Sequence, residues 1–178
     1  MPSPLAHAMA GAIVAWSAER LPPGIRPLPR TTATILGAGA LLAVAPDIDL
    51  LYVPLHRTAS HSVTAVAFVM IVAAVVTRWV TGRAHWGLAA VCAAAYGSHL
   101  VLDWLGEDLN VPQGIQALWP LSDQWFLSGW DVFRSTQRAR PLSLPSIQYN
   151  LRTAIQELLT LGPLLILLWI TKGRRASG

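Results

Sequence analysis

An all-α integral membrane bundle of about five helices is the fold class this sequence predicts, on three observations. Of its 178 residues 53% are hydrophobic and only 12% charged, with a mean hydropathy of +0.47. A soluble domain carries about 25% charged residues, so this balance points to lipid. The apolar residues come in five blocks separated by proline, glycine and arginine. Ionisable side chains fall at the ends of the blocks rather than in their middles, as hydrocarbon surroundings require.

The first block runs from Leu5 to Ala18 and ends at Glu19-Arg20. The stretch from Leu21 to Pro29 holds four prolines and cannot continue a helix, because proline lacks the amide hydrogen and clashes with the preceding turn. This block is short for a crossing. No charged side chain precedes Glu19, so the basic start of a signal peptide is missing and the block is expected to be mature structure. The second block spans Thr31 to Leu51, with Thr31 or Thr32 as N-cap and a kink or break at Pro46. The third, Ser62 to Val80, is uncharged until Arg78 and is the clearest transmembrane candidate. Trp86 to Leu105 and Leu151 to Thr171 form the fourth and fifth, the latter with Pro163 as a tolerated kink. One domain, residues 1–178, is expected at this length.

Between the last two blocks lies a long loop from Gly106 to Asn150, carrying Trp119, Trp125 and Trp130. Its length suggests function, and its indoles suggest an ordered segment at the membrane interface. Cys92 is the lone cysteine, so neither a disulfide framework nor a cysteine zinc site is available. The net charge of +4 comes from arginines scattered between apolar blocks, which argues against a nucleic-acid-binding face. Arg20, Arg26, Arg30, Arg78, Arg83, Lys172, Arg174 and Arg175 follow odd-numbered blocks, which places those loops in the cytoplasm. The long loop then faces outward.

Helix alternation has a consequence for the ionisable residues. His7, His61 and Glu157 lie near the starts of odd helices, while Asp47, Asp49, His99 and Asp103 lie near the ends of even ones. All seven are therefore expected on one membrane face, whichever face that is. His99 and Asp103, four residues apart, project from the same side of one helix. Imidazole with carboxylate suits zinc, manganese or iron(II), and four carboxylates near helix ends would be costly in a membrane without a cation to compensate them. Each residue also has a plainer reading: His7 as a polar helix contact, Asp47 and Asp49 as a polar helix end, and Glu157 as a partner of Arg152 or Arg134.

Five segments together resemble the YdjM-type membrane-bound metal-dependent hydrolases. They are Ala6-His7, Pro46-Asp47-Ile48-Asp49, His56-Arg57-Thr58-Ala59-Ser60-His61-Ser62, Ser98-His99-Leu100-Val101-Leu102-Asp103 and Leu118-Trp119-Pro120-Leu121. Ser60 replaces the family's usual threonine. The resemblance implies a helical membrane hydrolase, distantly similar to the zinc-dependent phospholipase C and single-strand nuclease fold. It implies metal ligation by His7, Asp47, His61, His99 and Asp103, with Glu157 resembling a late acidic position. The further histidine ligands of the distant relatives have no counterpart after Asp103.

The expected activity is hydrolysis of a phosphoester, a membrane phospholipid among the candidate substrates, by water activated on one or two divalent ions, zinc first. Arg57 is expected either to clamp a phosphate oxygen or to be a rim residue. Asp49, like Glu157, is expected to complete a second ion site or orient the water, and His56 either to protonate the leaving group or to bond Asp49. The expected location is a bacterial inner membrane, with the site on the extracytoplasmic face. The rival readings are a metal transporter or sensor without hydrolytic activity, and a protein whose metal merely staples its helices.

Overall fold

The computed structural model describes residues 1–20 and 32–176. The proline-rich turn, Arg26, Arg30 and Thr31 lie outside the described residues, as do the side chains of Arg20, Lys172, Arg174 and Arg175. The described chain is all-helical: α1 Pro4–Ser17, α2 Thr32–Val44, α3 Val63–Thr81, α4 Trp86–Leu105 and α5 Leu144–Ala176. Four stretches are long and apolar enough to cross a membrane: Ala33–Tyr52, Val63–Thr81, Trp86–Leu105 and Leu144–Thr171.

Local chemistry explains the helix ends. Ser3 caps α1, its hydroxyl accepting from the Ala6 amide at 3.4 Å, and Pro4 supplies the preset φ of a first turn. Ser62 does the same for α3 through the Ala65 amide at 3.1 Å, and Gly82, at φ 77°, ends that helix in the left-handed conformation.

The break expected at Pro46 is present: α2 stops at Val44 and the chain continues as a 3-10 stretch, Ala45–Leu55, with a kink at Tyr52. Pro46 disfavours the α conformation at Ala45, which places the break there. The last helix starts at Leu144 rather than Leu151. Ser143 accepts from the Ser146 amide at 3.4 Å and Pro145 occupies the first turn, but the polar Gln148 and Asn150 disguise this start as loop.

α1 packs on α2, α4 and α5, and α4 packs on α1, α2 and α3, so α1 and α4 form the centre. Ala6, Met9 and Ala10 of α1 meet Leu102 of α4 and Leu161 of α5 there. The contact between α1 and α2 is closest at Gly11 and Gly39. A Cβ on Gly11 would lie 2.2 Å from the Gly39 carbonyl oxygen, so only glycine allows this approach.

The segment between α4 and α5 is ordered by its own bonds. Ile115 and Phe126 exchange backbone hydrogen bonds of 3.1 and 2.9 Å, and the Glu107 amide donates to the Phe133 carbonyl at 2.8 Å. Ile115 and Phe133 are buried against the helices and anchor it. Its Ala117 carbonyl accepts from the Val63 amide at 2.9 Å, which ties the loop to the start of α3.

Candidate metal centre

Helix alternation brings the seven expected residues to one end of the bundle, and six of them join groups of possible ligands there. Overlapping groups with ligand atoms all within 4.8 Å of one another are His61, His99 and Asp103; His7, Asp47 and His99; and Asp47, Asp49, His56 and His61. His7, His61, His99 and Asp103 are at most 1% exposed. A dry interior strengthens every electrostatic interaction among them and makes an unpaired group costly.

The centre is a triangle of His61 Nε2, His99 Nε2 and Asp103 Oδ2. The two nitrogens are 3.0 Å apart, and the oxygen lies 3.4 Å from His61 and 3.1 Å from His99. Asp47 Oδ1 stands further back, 3.9 Å from His61 Nε2 and 3.7 Å from His99 Nε2. Metal–nitrogen bonds of about 2.0–2.1 Å at the tetrahedral angle separate two ligand atoms by about 3.3–3.4 Å, and less at an octahedral angle. The triangle has these dimensions.

Supporting bonds fix which nitrogens are free. His99 Nδ1 faces the Ala43 carbonyl at 2.7 Å, and a carbonyl only accepts, so Nδ1 carries the hydrogen. His61 Nδ1 faces Asp49 Oδ2 at 3.1 Å and the Ser60 hydroxyl at 3.0 Å, while that hydroxyl itself donates to Asp49. In both neutral rings Nε2 therefore offers a lone pair. Two lone pairs facing at 3.0 Å repel unless a proton or a cation lies between them.

The carboxylates also fit a cation. Both oxygens of Asp103, Oδ2 of Asp47 and Nδ1 of His7 are buried without a hydrogen-bond partner, the short contacts of Asp103 having ion-pair but not hydrogen-bond geometry. Native interiors rarely leave such atoms unsatisfied. Asp103 Oδ1 points to His7 Nε2 at 3.4 Å while Oδ2 points to the other two histidines, so this one carboxylate faces all three imidazoles. The His7 ring stacks on His99 with centroids 3.7 Å apart. Burial, opposed in part by Asp103, lowers the His7 pKa and favours the neutral, ligating form.

Three expected residues take other places. Glu157 is fully buried but belongs to none of the described ligand groups: its carboxylate accepts from the Ser3 amide at 2.7 Å and from the Ser3 hydroxyl. Its carboxylate binds the cap of α1. The Arg57 guanidinium pairs with Asp108 and lies 5.5 Å from the Trp125 ring, while its φ of 69° is that of a tight turn. It is committed to the loop. Asp49 receives His56 Nδ1 at 2.6 Å, the Arg57 amide at 3.2 Å, the Ser60 hydroxyl and His61 Nδ1, so it orients ligands. The His56 contact is the bond to Asp49 expected as one of its two readings.

Sequence reasoning missed Ser3, Ala43, Asp108 and Arg138. Ser3-Pro4 before an apolar run is a legible helix start, and Asp108 was visible only as a loop charge. The Ala43 carbonyl has no side-chain signal at all. Arg138 Nη1 reaches His56 Nε2 at 3.4 Å, a contact across 82 positions that only folding reveals.

No curated protein and no solved structure matches the chain. A family model described as YdjM inner membrane protein matches residues 1–176. With nearly the whole sequence covered, the chain belongs to the YdjM inner membrane protein family.

Proposed function

We propose that this protein is a membrane-embedded, metal-dependent phosphoesterase, with zinc as the first candidate metal and manganese or iron(II) as alternatives. The observation that carries the reading is the triangle of His61 Nε2, His99 Nε2 and Asp103 Oδ2, with unpartnered carboxylate oxygens around it. His61, His99 and Asp103 would hold one ion, and His7 and Asp47 would serve a second. A bound divalent ion supplies an acidified water and an electrophile for a phosphoryl oxygen.

The chain's own residues supply the rest. Asp49 and the Ala43 carbonyl hold the two imidazoles in their ligating tautomers. Asp47 Oδ2, free of hydrogen bonds, is the base that takes a proton from the attacking water. Arg138 at the rim, rather than Arg57, neutralises the phosphoryl oxygens, and the proton taken up by Asp47 passes to the departing oxygen. Water thus adds across the P–O bond, its hydroxyl going to phosphorus and its proton to the leaving group. The positive-inside pattern of the sequence supports an extracytoplasmic site, where lipid phosphoesters are at hand.

Hydrolysis is favoured over metal transport because, among the described residues, the groups of possible ligands gather at one end. One to two turns from His99 the facing residues are Ala95, Leu42 and Val91, which offer an ion no further step. The test is metal content by elemental analysis of detergent-purified protein, wild type beside His99→Ala and Asp103→Ala, followed by phosphodiester and phospholipid assays. Stoichiometric metal in the wild type, its loss in still-folded variants and a parallel loss of turnover are expected. Metal-free but folded wild type, turnover unchanged in Asp103→Ala, or zinc flux into proteoliposomes would each sink the assignment.

A further inference from the structure

α2 and α4 are joined near the His/Asp group by the bond from His99 Nδ1 to the Ala43 carbonyl at 2.7 Å. One turn away from it they part, and with α1 they enclose a cleft of about 280 Å³. Ala38 and Leu42 of α2, Leu88, Val91 and Ala95 of α4, and Ala15 of α1 line it, and the lining is almost wholly apolar. From Leu88 to Ala95 the helix rises about 10 Å at 1.5 Å per residue.

The cleft and the ligands share the same helix faces. On α4 the positions Leu88, Val91 and Ala95 step by three and four residues, and the next two steps of four reach His99 and Asp103. On α1 the series Ala15, Gly11, His7 does the same, and on α2 Leu42 adjoins Ala43. The ligands therefore stand at the end of the cleft. The least buried of them, Asp47 and Asp49, about one-tenth exposed, lie on the continuation of α2, the helix that forms one wall. A polar group entering past these carboxylates leaves its apolar remainder on the cleft side.

We propose that this cleft receives the hydrocarbon tail of a membrane lipid whose phosphate-bearing end lies against the His/Asp group. The head's identity rests on the phosphoesterase reading; the tail's place rests on the cleft itself. Two features favour a tail over any other occupant. Both walls belong to stretches long and apolar enough to cross a membrane, so the molecules surrounding the cleft are lipids. The lining also offers almost no hydrogen-bonding group to orient a polar ligand, which a small-molecule site normally does. Small Ala15, Ala38 and Ala95 leave the room that leucines would fill.

The test uses the full chain in phosphatidylcholine nanodiscs doped with a small fraction of phosphatidic acid or of diacylglycerol, both carrying the same diazirine on one acyl chain. After illumination, cross-links are mapped by mass spectrometry to residues 88–95 and, for comparison, to the exposed α3 residues Phe68, Val72 and Val76. Phosphatidic acid is expected to label the cleft about tenfold more than diacylglycerol, the preference that one charge-assisted contact confers, while both label α3 alike. Ala38→Trp should remove the cleft signal and leave the α3 signal; Asp103→Ala should remove the preference for phosphate. Equal cleft labelling by the two lipids, or an Ala38→Trp protein labelled like wild type, would overturn the inference. The readout is independent of turnover. Cleft enrichment in a protein that hydrolyses nothing would support the inference and end the phosphoesterase reading; hydrolysis of a water-soluble phosphodiester without enrichment would do the reverse.

Discussion

α3 and α4 lie side by side and are similar in length, yet they hold opposite places. α3, the more apolar of the two, buries only Ala74 and Thr77. Less apolar α4 buries eight residues, among them Ala93, Tyr96, His99 and Asp103, and forms part of the centre of the bundle. In water the more apolar helix would be the inner one. Where the surroundings are hydrocarbon, an apolar face gains little from being covered, whereas a carboxylate or imidazole gains a great deal from partners. Polar side chains and small residues that let backbones approach then decide which helix is central, and the candidate site becomes the core.

The sharpest way to break this comparison is to remove a ligand from α4. His99→Ala should abolish metal binding altogether and make the protein's thermal midpoint indifferent to chelator. In the wild type, chelation should lower stability by about 2.7 kcal/mol if metal had been present at a hundred times its dissociation constant. Chelator titrations followed by thermal melts in detergent check both, and a wild type as indifferent as the variant would mean that α4 is central for packing alone.

Next in size is the seam that carries His7. Gly11→Leu places a side chain where even a Cβ would meet the Gly39 oxygen at 2.2 Å and the Ala43 Cβ at 2.5 Å. A destabilisation of about 2 kcal/mol, within the range for overpacking, is expected, together with weaker metal binding. Ala43 is also the residue whose carbonyl holds His99, so the strain reaches the ligand directly. Gly37, with nothing within 4 Å of an added Cβ, is the control: Gly37→Ala should be tolerated.

How much of this was legible beforehand depends on what each feature rests on. Helix count and the gathering of His7, Asp47, His61, His99 and Asp103 follow from block order and alternation, which any chain crossing back and forth must obey. Glu157 shows the limit of that argument: alternation brings it to the correct end, but the end of a bundle is wide, and Ser3 binds its carboxylate first. Arg57 shows another limit. Its partner Asp108 lies 51 positions away in a loop without periodicity, so no pattern links them. The start of α5 at Leu144 was readable from Ser143 and Pro145, had caps been weighed above polarity.

Smaller effects test whether orientation matters as well as ligation. Asp49→Asn keeps the shape but weakens the acceptor that fixes His61 Nδ1, and a loss of about 10–100-fold in metal affinity is expected, the range for residues that orient a ligand. Competition with a fluorescent chelator measures it. An unchanged affinity would show that Ser60 alone fixes the ring.

The smallest expected effect lies on α3. Val72 and Val76 are 41% and 51% exposed and point away from the bundle. In water, truncating a half-buried valine would remove stabilising burial; here the group lost had hydrocarbon around it in the folded and the unfolded chain alike. Val72→Ala and Val76→Ala should therefore change stability by less than about 0.5 kcal/mol and leave metal content untouched. A chemical denaturation series in mixed micelles resolves a difference of that size. A loss of 1 kcal/mol or more would mean that this face covers something other than lipid, and that the contrast between α3 and α4 reflects a missing partner rather than the solvent.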